Sequence, residues 1–236
     1  MQWLGKGIGG LIGAFVGGPV GSVVGVIVGH RLDQIRRTFF ETTFEVMGHV
    51  AKADGRVSED EVQVARRIMQ AMRLNDEQIQ EAIEHFTRGK RANYALEDRL
   101  SELDAGGGLA RTFVQLQLQA ALGVGAVGRE KREALTRVAR ALGVSRAELE
   151  QLEAIVRGLP SDNAQQTTDA AYRVLGVGAD ARDDEVKTAY RRLMNQHHPD
   201  KLVARGLPVS MIGVAEQKTR EVRAAYEQIK KQRGFK

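Results

Sequence analysis

The sequence contains no cysteine, and its 236 residues include only four prolines. Without cysteine the chain can form neither a disulfide nor a thiolate site for metal or redox chemistry. Aromatic residues make up only 5% of the sequence, whereas residues that favour helices are abundant. This composition favours helices over sheets. We therefore predict an all-α protein, with enough residues for one large or two small domains.

The chain is basic, with a formal net charge of +5. Its lysines and arginines are spread along the whole sequence and are mixed with aspartates and glutamates. A nucleic-acid-binding surface concentrates its cations on one face, so the pattern argues against nucleic acid as a partner. No phosphate-binding loop of an ATPase is present. We expect a protein that is not an enzyme, has no catalytic residues and needs neither a cofactor nor a metal.

An uncharged stretch of 23 residues extends from Gly7 to Gly29. As a helix it would be about 34 Å long, which is enough to cross a hydrocarbon core of about 30 Å. Glycine recurs at every fourth position, a spacing that lets two helices approach closely in a membrane. We predict that residues 1–31 form a glycine-zipper transmembrane anchor. Its dimerisation surface would consist of Gly5, Gly9, Gly13, Gly17, Gly21, Gly25 and Gly29.

A cleaved signal peptide and a flexible glycine-rich arm are the alternatives for this segment. A signal peptide has a shorter apolar core and a small-residue cleavage site, which is not found after Gly29. A flexible arm would not have aliphatic residues between its glycines. The only side-chain cation before the span is Lys6, whereas Arg31, Arg36 and Arg37 follow it. The positive-inside rule therefore predicts a single-pass protein whose C-terminal side lies in the cytoplasm.

Residues 36–157 have helical periodicity and contain one internal repeat at an offset of 70 residues. Each copy consists of a helix, a short turn with a glycine and a second amphipathic helix. We predict that the two helical hairpins close around one core, with helix caps at Ser58, at Asn75 or Asp76, and at Ser145. The matching pairs are Ala51 and Ala121, Gly55 and Gly125, Val57 and Val127, Val64 and Ala134, Ile68 and Val138, Met72 and Leu142, and Leu74 and Val144.

Carboxylates cluster in the turn at residues 54–61, which raises the alternative of a metal site involving Asp54. The cluster lacks the alternating ligands of a calcium loop, so a capped turn is the favoured interpretation. His49 and His85 are isolated from other candidate ligands and are expected to lie on helix faces. Residues 51–57 and their repeat resemble the TerB-like (tellurite-resistance) helical domain. This resemblance leaves the client of the domain unknown.

Residues 158–168 are predicted to be a polar linker, and residues 169–236 a second helical unit. Three helices are expected in this unit, at about 169–175, 183–197 and 211–231. Pro199 disfavours helical angles at the residue before it, so the second helix should end near His198. We expect the second and third helices to form an antiparallel hairpin, with His198, Pro199 and Asp200 exposed at its tip and a loop over 201–210.

This unit closely resembles a J-domain. The matching residues are Tyr172 and the segments 175–177, 186–193, 198–200 and 224–229. The resemblance implies a co-chaperone that binds a DnaK-type chaperone and stimulates its ATPase. It also implies the docking residues: a basic helix face that contacts an acidic chaperone surface and a tripeptide that contacts the junction between chaperone domains. These residues are Lys187, Arg191, Arg192, His198, Pro199 and Asp200.

The order of the segments is also informative. A glycine-rich membrane anchor, a TerB-like domain and a C-terminal J-domain together resemble the DjlA membrane-anchored co-chaperone family. The partners implied by this resemblance are a DnaK-type chaperone, an unidentified client and the membrane. It also implies the bacterial inner membrane, with a periplasmic N-terminus and cytoplasmic C-terminal domains. The glycine repeat of the anchor adds a second copy of the chain as a partner.

Two alternatives remain for the C-terminal unit and the chain as a whole. His197, His198 and Asp200 could act as metal ligands or as an acid–base set, although the spacing specifies no third partner. Alternatively, the chain could be a membrane scaffold or sensor, in which the TerB-like domain recruits a client and the J-domain is secondary.

Overall fold

The computed structural model describes residues 30–72, 74–103, 105–157 and 164–235. Within these ranges the chain is built of helices and has no strand, which confirms the all-α prediction. No described helix combines the length and apolar character needed to cross a membrane. The predicted glycine-zipper anchor falls at residues 1–29, which lie outside the described residues, as do residues 158–163 of the predicted linker.

The first domain contains α1, whose described part covers residues 30–52, and six further helices. These are α2 (Glu59–Ala71), α3 (Asp76–Gly89), α4 (Leu96–Ser101), α5 (Gly108–Leu122), α6 (Arg129–Ala141) and α7 (Arg146–Val156). Ser58, Asn75 and Ser145 each form a capping box at the start of α2, α3 and α7. Each cap satisfies backbone N–H groups that a helix start otherwise leaves unpaired, so these boundaries were predictable.

The predicted 70-residue repeat is confirmed by the backbone of its two turns. Gly55 and Gly125 have φ angles of 103° and 115°, in a region that favours glycine. The Gly55 N–H donates to Lys52 O at 2.8 Å, and the Gly125 N–H donates to Leu122 O at 3.0 Å. Thus α1–α2 and α5–α6 are two copies of one helical hairpin.

Helix α5 lies at the centre of this domain and packs against α2, α6 and α7. Most of its residues from Gly108 to Leu118 are buried. The Phe113 ring meets the Phe39 ring of α1 edge to face, with 5.6 Å between the ring centres. Both side chains are fully buried. The two hairpins therefore share one core, as the repeat predicted.

A buried carboxylate, Glu45, ties α1 to α3 and α4. It is 1% exposed and accepts hydrogen bonds from Arg88 Nη1 at 3.0 Å and Arg99 Nε at 2.8 Å. Tyr94 Oη donates at 3.3 Å, and His85 Nδ1 lies 3.0 Å from the carboxylate. The prediction that His85 is isolated was wrong, because its partner is distant in sequence and becomes adjacent only when α1 packs on α3.

The second domain contains α8 (Ala164–Leu175), α9 (Asp183–Gln196), α10 (Pro199–Ala204), a 3₁₀ turn (Val209–Met211) and α11 (Ile212–Arg233). Residues 164–168, predicted as linker, belong to α8. The predicted loop at 201–210 instead contains α10 and the 3₁₀ turn. Pro199 ends α9, and it also begins α10, because proline is well suited to the first position of a helix.

Helices α9 and α11 form the predicted hairpin and pack with α8 around a small core. Its buried side chains include Val186, Ala189 and Leu193 from α9, and Val222, Ala225 and Ile229 from α11.

Arg233 fastens the end of α11 to the rest of the domain. Its guanidinium donates to Tyr172 Oη at 2.6 Å, to Asp183 Oδ1 at 3.1 Å, and to two backbone carbonyls before α9. Gly234 then ends α11 with a φ of 70°.

The two domains are in direct contact. Gln151 Nε2 in α7 donates to the Val174 carbonyl in α8 at 2.6 Å. Gly108, at the start of α5, lies so close to the end of α9 that a Cβ atom there would clash with the Gln196 carbonyl. The first domain therefore supports the second at the point where α9 ends.

Candidate functional site

The sequence His198-Pro199-Asp200 forms a fixed corner between α9 and α10. His197 caps the C-terminus of α9, and its N–H donates to Leu193 O at 3.0 Å. His198 is the N-cap of α10 with φ and ψ of −59° and 125°, and its Nδ1 accepts from the Asp200 N–H at 3.2 Å. Pro199 occupies the first helical position. Two adjacent helix ends and one local hydrogen bond therefore hold the tripeptide in one conformation.

The polar groups of the corner face solvent, as predicted for a hairpin tip. The His198 side chain is 50% exposed and the Asp200 side chain 87% exposed, with 3.9 Å between Nδ1 and Oδ2. Lys201 donates to Asn195 Oδ1 beside them, which joins the start of α10 to the end of α9. The corner thus presents an imidazole and a carboxylate that a partner can contact.

The predicted basic face of α9 is only partly exposed to solvent. Arg191 and Arg192 are exposed, whereas Lys187 is half-buried and its Nζ lies 5.1 Å from the centre of the Phe235 ring. Arg191 Nε also donates to the Lys187 carbonyl at 3.3 Å. Two exposed arginines therefore accompany the corner, whereas the Lys187 ammonium makes a cation–π contact with Phe235.

His197 does not share the environment of His198 and Asp200. It is 1% exposed, and burial together with the charges of Lys218 and Arg111 lowers its pKa to about 3. At neutral pH the His197 ring is therefore uncharged and enclosed, while His198 is open to solvent. The alternative site that combines His197 with His198 and Asp200 gains no support from this arrangement.

The first domain supports the corner through contacts that sequence patterns did not reveal. Arg36 of α1 donates to the Val203 carbonyl of α10 at 3.5 Å. Leu202 is fully buried, and Gly108 of α5 packs against it and against Gln196. The only sequence signal for this contact is the run of three glycines at 106–108. The third of these glycines permits the close approach.

The carboxylates of the turn at 54–61 surround a lysine. Lys131 Nζ lies 2.7 Å from Asp54 Oδ2 and 2.5 Å from Glu61 Oε1. Glu61 also accepts from the Ser58 N–H in the capping box. The capped-turn interpretation is confirmed, and the Lys131 ammonium supplies positive charge to both carboxylates. The sequence holds a hint of the Lys131–Glu61 pair. Lys131 takes, in the second copy of the repeat, the position that Glu61 takes in the first.

A second group of potential ligands consists of Glu41, Glu81 and His85, whose ligand atoms lie within 4.8 Å of one another. Glu41 already pairs with Arg37 at 2.9 Å and with Arg99 at 3.2 Å. These guanidinium groups supply the positive charge that the carboxylate requires, so the cluster belongs to the Glu45 network of α1, α3 and α4.

Comparison with protein-family models places three known domains along the chain. The Co-chaperone DjlA transmembrane domain matches residues 1–58, Tellurite resistance protein TerB matches residues 41–154, and the DnaJ domain matches residues 170–233. The two described domains therefore correspond to the TerB-like and J-domain units predicted from the sequence. The first match supports a membrane-anchored protein.

Curated proteins from several bacteria resemble the chain over most of its length. The Co-chaperone protein DjlA of Coxiella burnetii is 44% identical over 86% of this chain and 80% of its own length. Those of Shewanella oneidensis and Photobacterium profundum are 41% and 43% identical over 84% of this chain, and over 79% of their own lengths. The comparison with solved structures gave no match. With three domain matches in this order and such relatives, the chain belongs to the DjlA co-chaperone family.

Proposed function

We propose that this membrane-anchored J-domain co-chaperone docks a DnaK-type chaperone on α9 and on the His198-Pro199-Asp200 corner, and stimulates its ATP hydrolysis. The observation that carries the proposal is the corner itself, which is fixed by two helix ends and still exposes His198 and Asp200. Arg191 and Arg192 are exposed on α9, the helix that leads into it.

The chaperone would supply the nucleotide site, and this chain would act as its ligand. Exposed cations raise the rate of encounter with an acidic surface, while a rigid polar corner can favour one conformation of the partner over another. A ligand shifts a conformational equilibrium only by its difference in affinity for the two states. A pre-formed corner strengthens binding to the state that its groups fit, because little conformational entropy remains to be lost on binding.

Steady-state ATP hydrolysis by the cognate DnaK-type chaperone tests this proposal. The full chain would be reconstituted in nanodiscs and added at increasing concentration. We expect the chaperone's hydrolysis rate to rise and saturate, whereas nanodiscs without the chain should have no effect. A rate that stays at the basal level over the whole titration would contradict the proposal.

We further propose that the chain self-associates through its glycine ladder, the seven glycines at every fourth position from Gly5 to Gly29. Replacement of Gly13, Gly17 and Gly21 with leucine is expected to weaken dimers in lipid bilayers, because the side chains would separate the helices. Energy transfer between labelled chains in liposomes measures this association. Replacement of Val16, Val20 and Val24 with leucine is the matched control, since these positions lie between the ladder glycines. Equal association of the two triple variants would count against the ladder.

The orientation proposed is a periplasmic N-terminus with both described domains in the cytoplasm, at the inner membrane. Its support is the excess of cations after the span, with Arg31, Arg36 and Arg37 against Lys6 alone. Alkaline phosphatase fused after Lys236 should be inactive, and the same enzyme fused before Met1 should be active. An active fusion after Lys236 together with an inactive fusion before Met1 would show the opposite orientation. That the TerB-like domain binds a client stays a prediction.

A further inference from the structure

A cavity of about 70 Å³ lies where the TerB-like domain meets the J-domain. Helices α5 and α7 form one wall, while α11 and the end of α9 form the other. Because about 10–15 Å³ is enough to hold one water molecule, the cavity can hold a small polyatomic ion. Its polar lining includes Arg111, Glu148, Arg192, His197 and Lys218.

Two residues of this lining each have a buried polar atom without a hydrogen-bond partner among the described residues. These atoms are Nζ of Lys218 and Nδ1 of His197, and each residue is only 1% exposed. A buried polar group without a partner is costly to the fold, and an ammonium group can donate three hydrogen bonds. Both residues line the cavity, so a ligand there would lie beside groups that lack a partner.

The remaining charges around the cavity leave an excess of positive groups. Arg111 Nε donates to Glu148 Oε1 at 2.9 Å, so this pair is close to neutral. Arg192 has no such carboxylate in the lining and remains positive.

Lys218 also lies one helical turn from Glu221 on α11, whose charge attracts it, although no hydrogen bond joins the two side chains. Burial lowers the pKa of Lys218 to about 7 and raises that of Glu221. An anion beside Lys218 would favour the charged ammonium and supply the acceptor atoms that it lacks.

We propose that this cavity binds a small free oxyanion of the phosphate class. Lys218 and His197 of the J-domain and Arg111 of the TerB-like domain would donate hydrogen bonds to its oxygens. The bound anion would connect the two domains directly behind His198, the residue after His197. This site goes beyond the proposed stimulation of a chaperone and does not depend on it.

Equilibrium dialysis with radiolabelled inorganic phosphate tests the site, using the full chain in a non-ionic detergent at constant ionic strength. We expect saturable binding of one phosphate per chain. Lys218→Met should weaken this binding at least about tenfold, since it removes a charged donor. Lys231→Met is the matched control, because Lys231 is exposed on the same helix, and it should bind like the original chain.

His197→Leu is a second variant, for use if Lys218→Met does not fold. It should also weaken phosphate binding. Absence of saturable binding, or unchanged binding by folded Lys218→Met or His197→Leu, would overturn the proposal. Glycerol 3-phosphate should bind at least about tenfold more weakly than phosphate, because the cavity has no space for its carbon chain. Equal or tighter binding of the ester would overturn the assignment to a free ion.

Discussion

Replacement of Glu45 with glutamine is expected to lower the free energy of unfolding by about 3 kcal/mol, because it removes a buried carboxylate that pairs with Arg88 and Arg99 and contacts His85. His85 would lose its contact with a carboxylate, and Arg99 would keep only Glu41 and Glu102 as acidic partners. Arg88 is exposed enough to turn towards water. Urea denaturation of the full chain in a non-ionic detergent, followed by circular dichroism, measures the change.

Glu84→Gln is the matched control for this variant. Glu84 is exposed on α3, the helix that carries His85 and Arg88, and its replacement should change the stability by less than about 0.5 kcal/mol. If the two glutamine variants unfold at the same urea concentration, the Glu45 network does not stabilise the domain.

The pH dependence of stability gives an independent measure of the Glu45 network. Burial alone would raise the pKa of Glu45, but hydrogen bonds from His85 and Arg99 outweigh it and lower the pKa to about 2. The stabilisation is therefore complete above the ordinary pKa of 4.5 and is lost as the pH falls towards 2. We expect the original chain to lose more stability than Glu45→Gln over this range. Parallel pH profiles would contradict this assignment.

Reversal of both arginine charges on α9, by Arg191→Glu with Arg192→Glu, is expected to raise the half-maximal chain concentration for chaperone stimulation about tenfold or more. Each replacement turns an attraction to an acidic partner into a repulsion, and both side chains are exposed. The effect should shrink as salt is raised, because screening weakens exposed charges. The maximal rate at saturation should change much less, since the His198-Pro199-Asp200 corner is unaltered.

A matched control exists in the TerB-like domain. Arg66 and Arg67 are an adjacent exposed pair on α2, and Arg66→Glu with Arg67→Glu produces the same change in net charge. This control should leave the half-maximal concentration within about twofold of the original, since these charges lie outside the proposed docking face. Equal losses in the two double variants would mean that net charge, and not the α9 face, determines the interaction.

Local features of the fold were predictable from the sequence because their causes lie within a few residues. The capping boxes at Ser58 and Ser145 and the turns at Gly55 and Gly125 depend on neighbouring backbone groups. The apolar periodicity of α9 and α11 likewise specified their buried faces. Pro199 shows the limit of such reasoning, because the same residue ends one helix and begins the next.

Contacts between distant segments were not predictable in this way. Glu45 and His85 form a pair only because α1 packs on α3. No sequence pattern around either residue predicts the other as its partner. The approach of Gly108 to Gln196 and the enclosure of Lys218 depend on how two domains meet. Phe235, four residues beyond the predicted end of the last helix, covers Lys187 and reduces the exposed basic face.

The exposed corner was the most predictable part of the candidate site. The contacts that hold the corner in place were the least predictable part. The tripeptide and its J-domain context are visible in the sequence alone. Its rigidity comes from His198 capping α10 and from the TerB-like domain beneath Leu202. The side chain of His198 contributes one local hydrogen bond to the fold, so its proposed role lies in the contact with the partner.

The most direct test of this account is the chaperone's steady-state ATP hydrolysis with the original chain and with His198→Gln, each at saturating concentration in nanodiscs. His30→Gln, at an exposed histidine far along the chain from the corner, is the control. We predict that the original chain and the control stimulate hydrolysis equally, and that His198→Gln folds normally but gives only the basal rate. Full stimulation by His198→Gln would contradict the assignment of the corner as the site that acts on the chaperone.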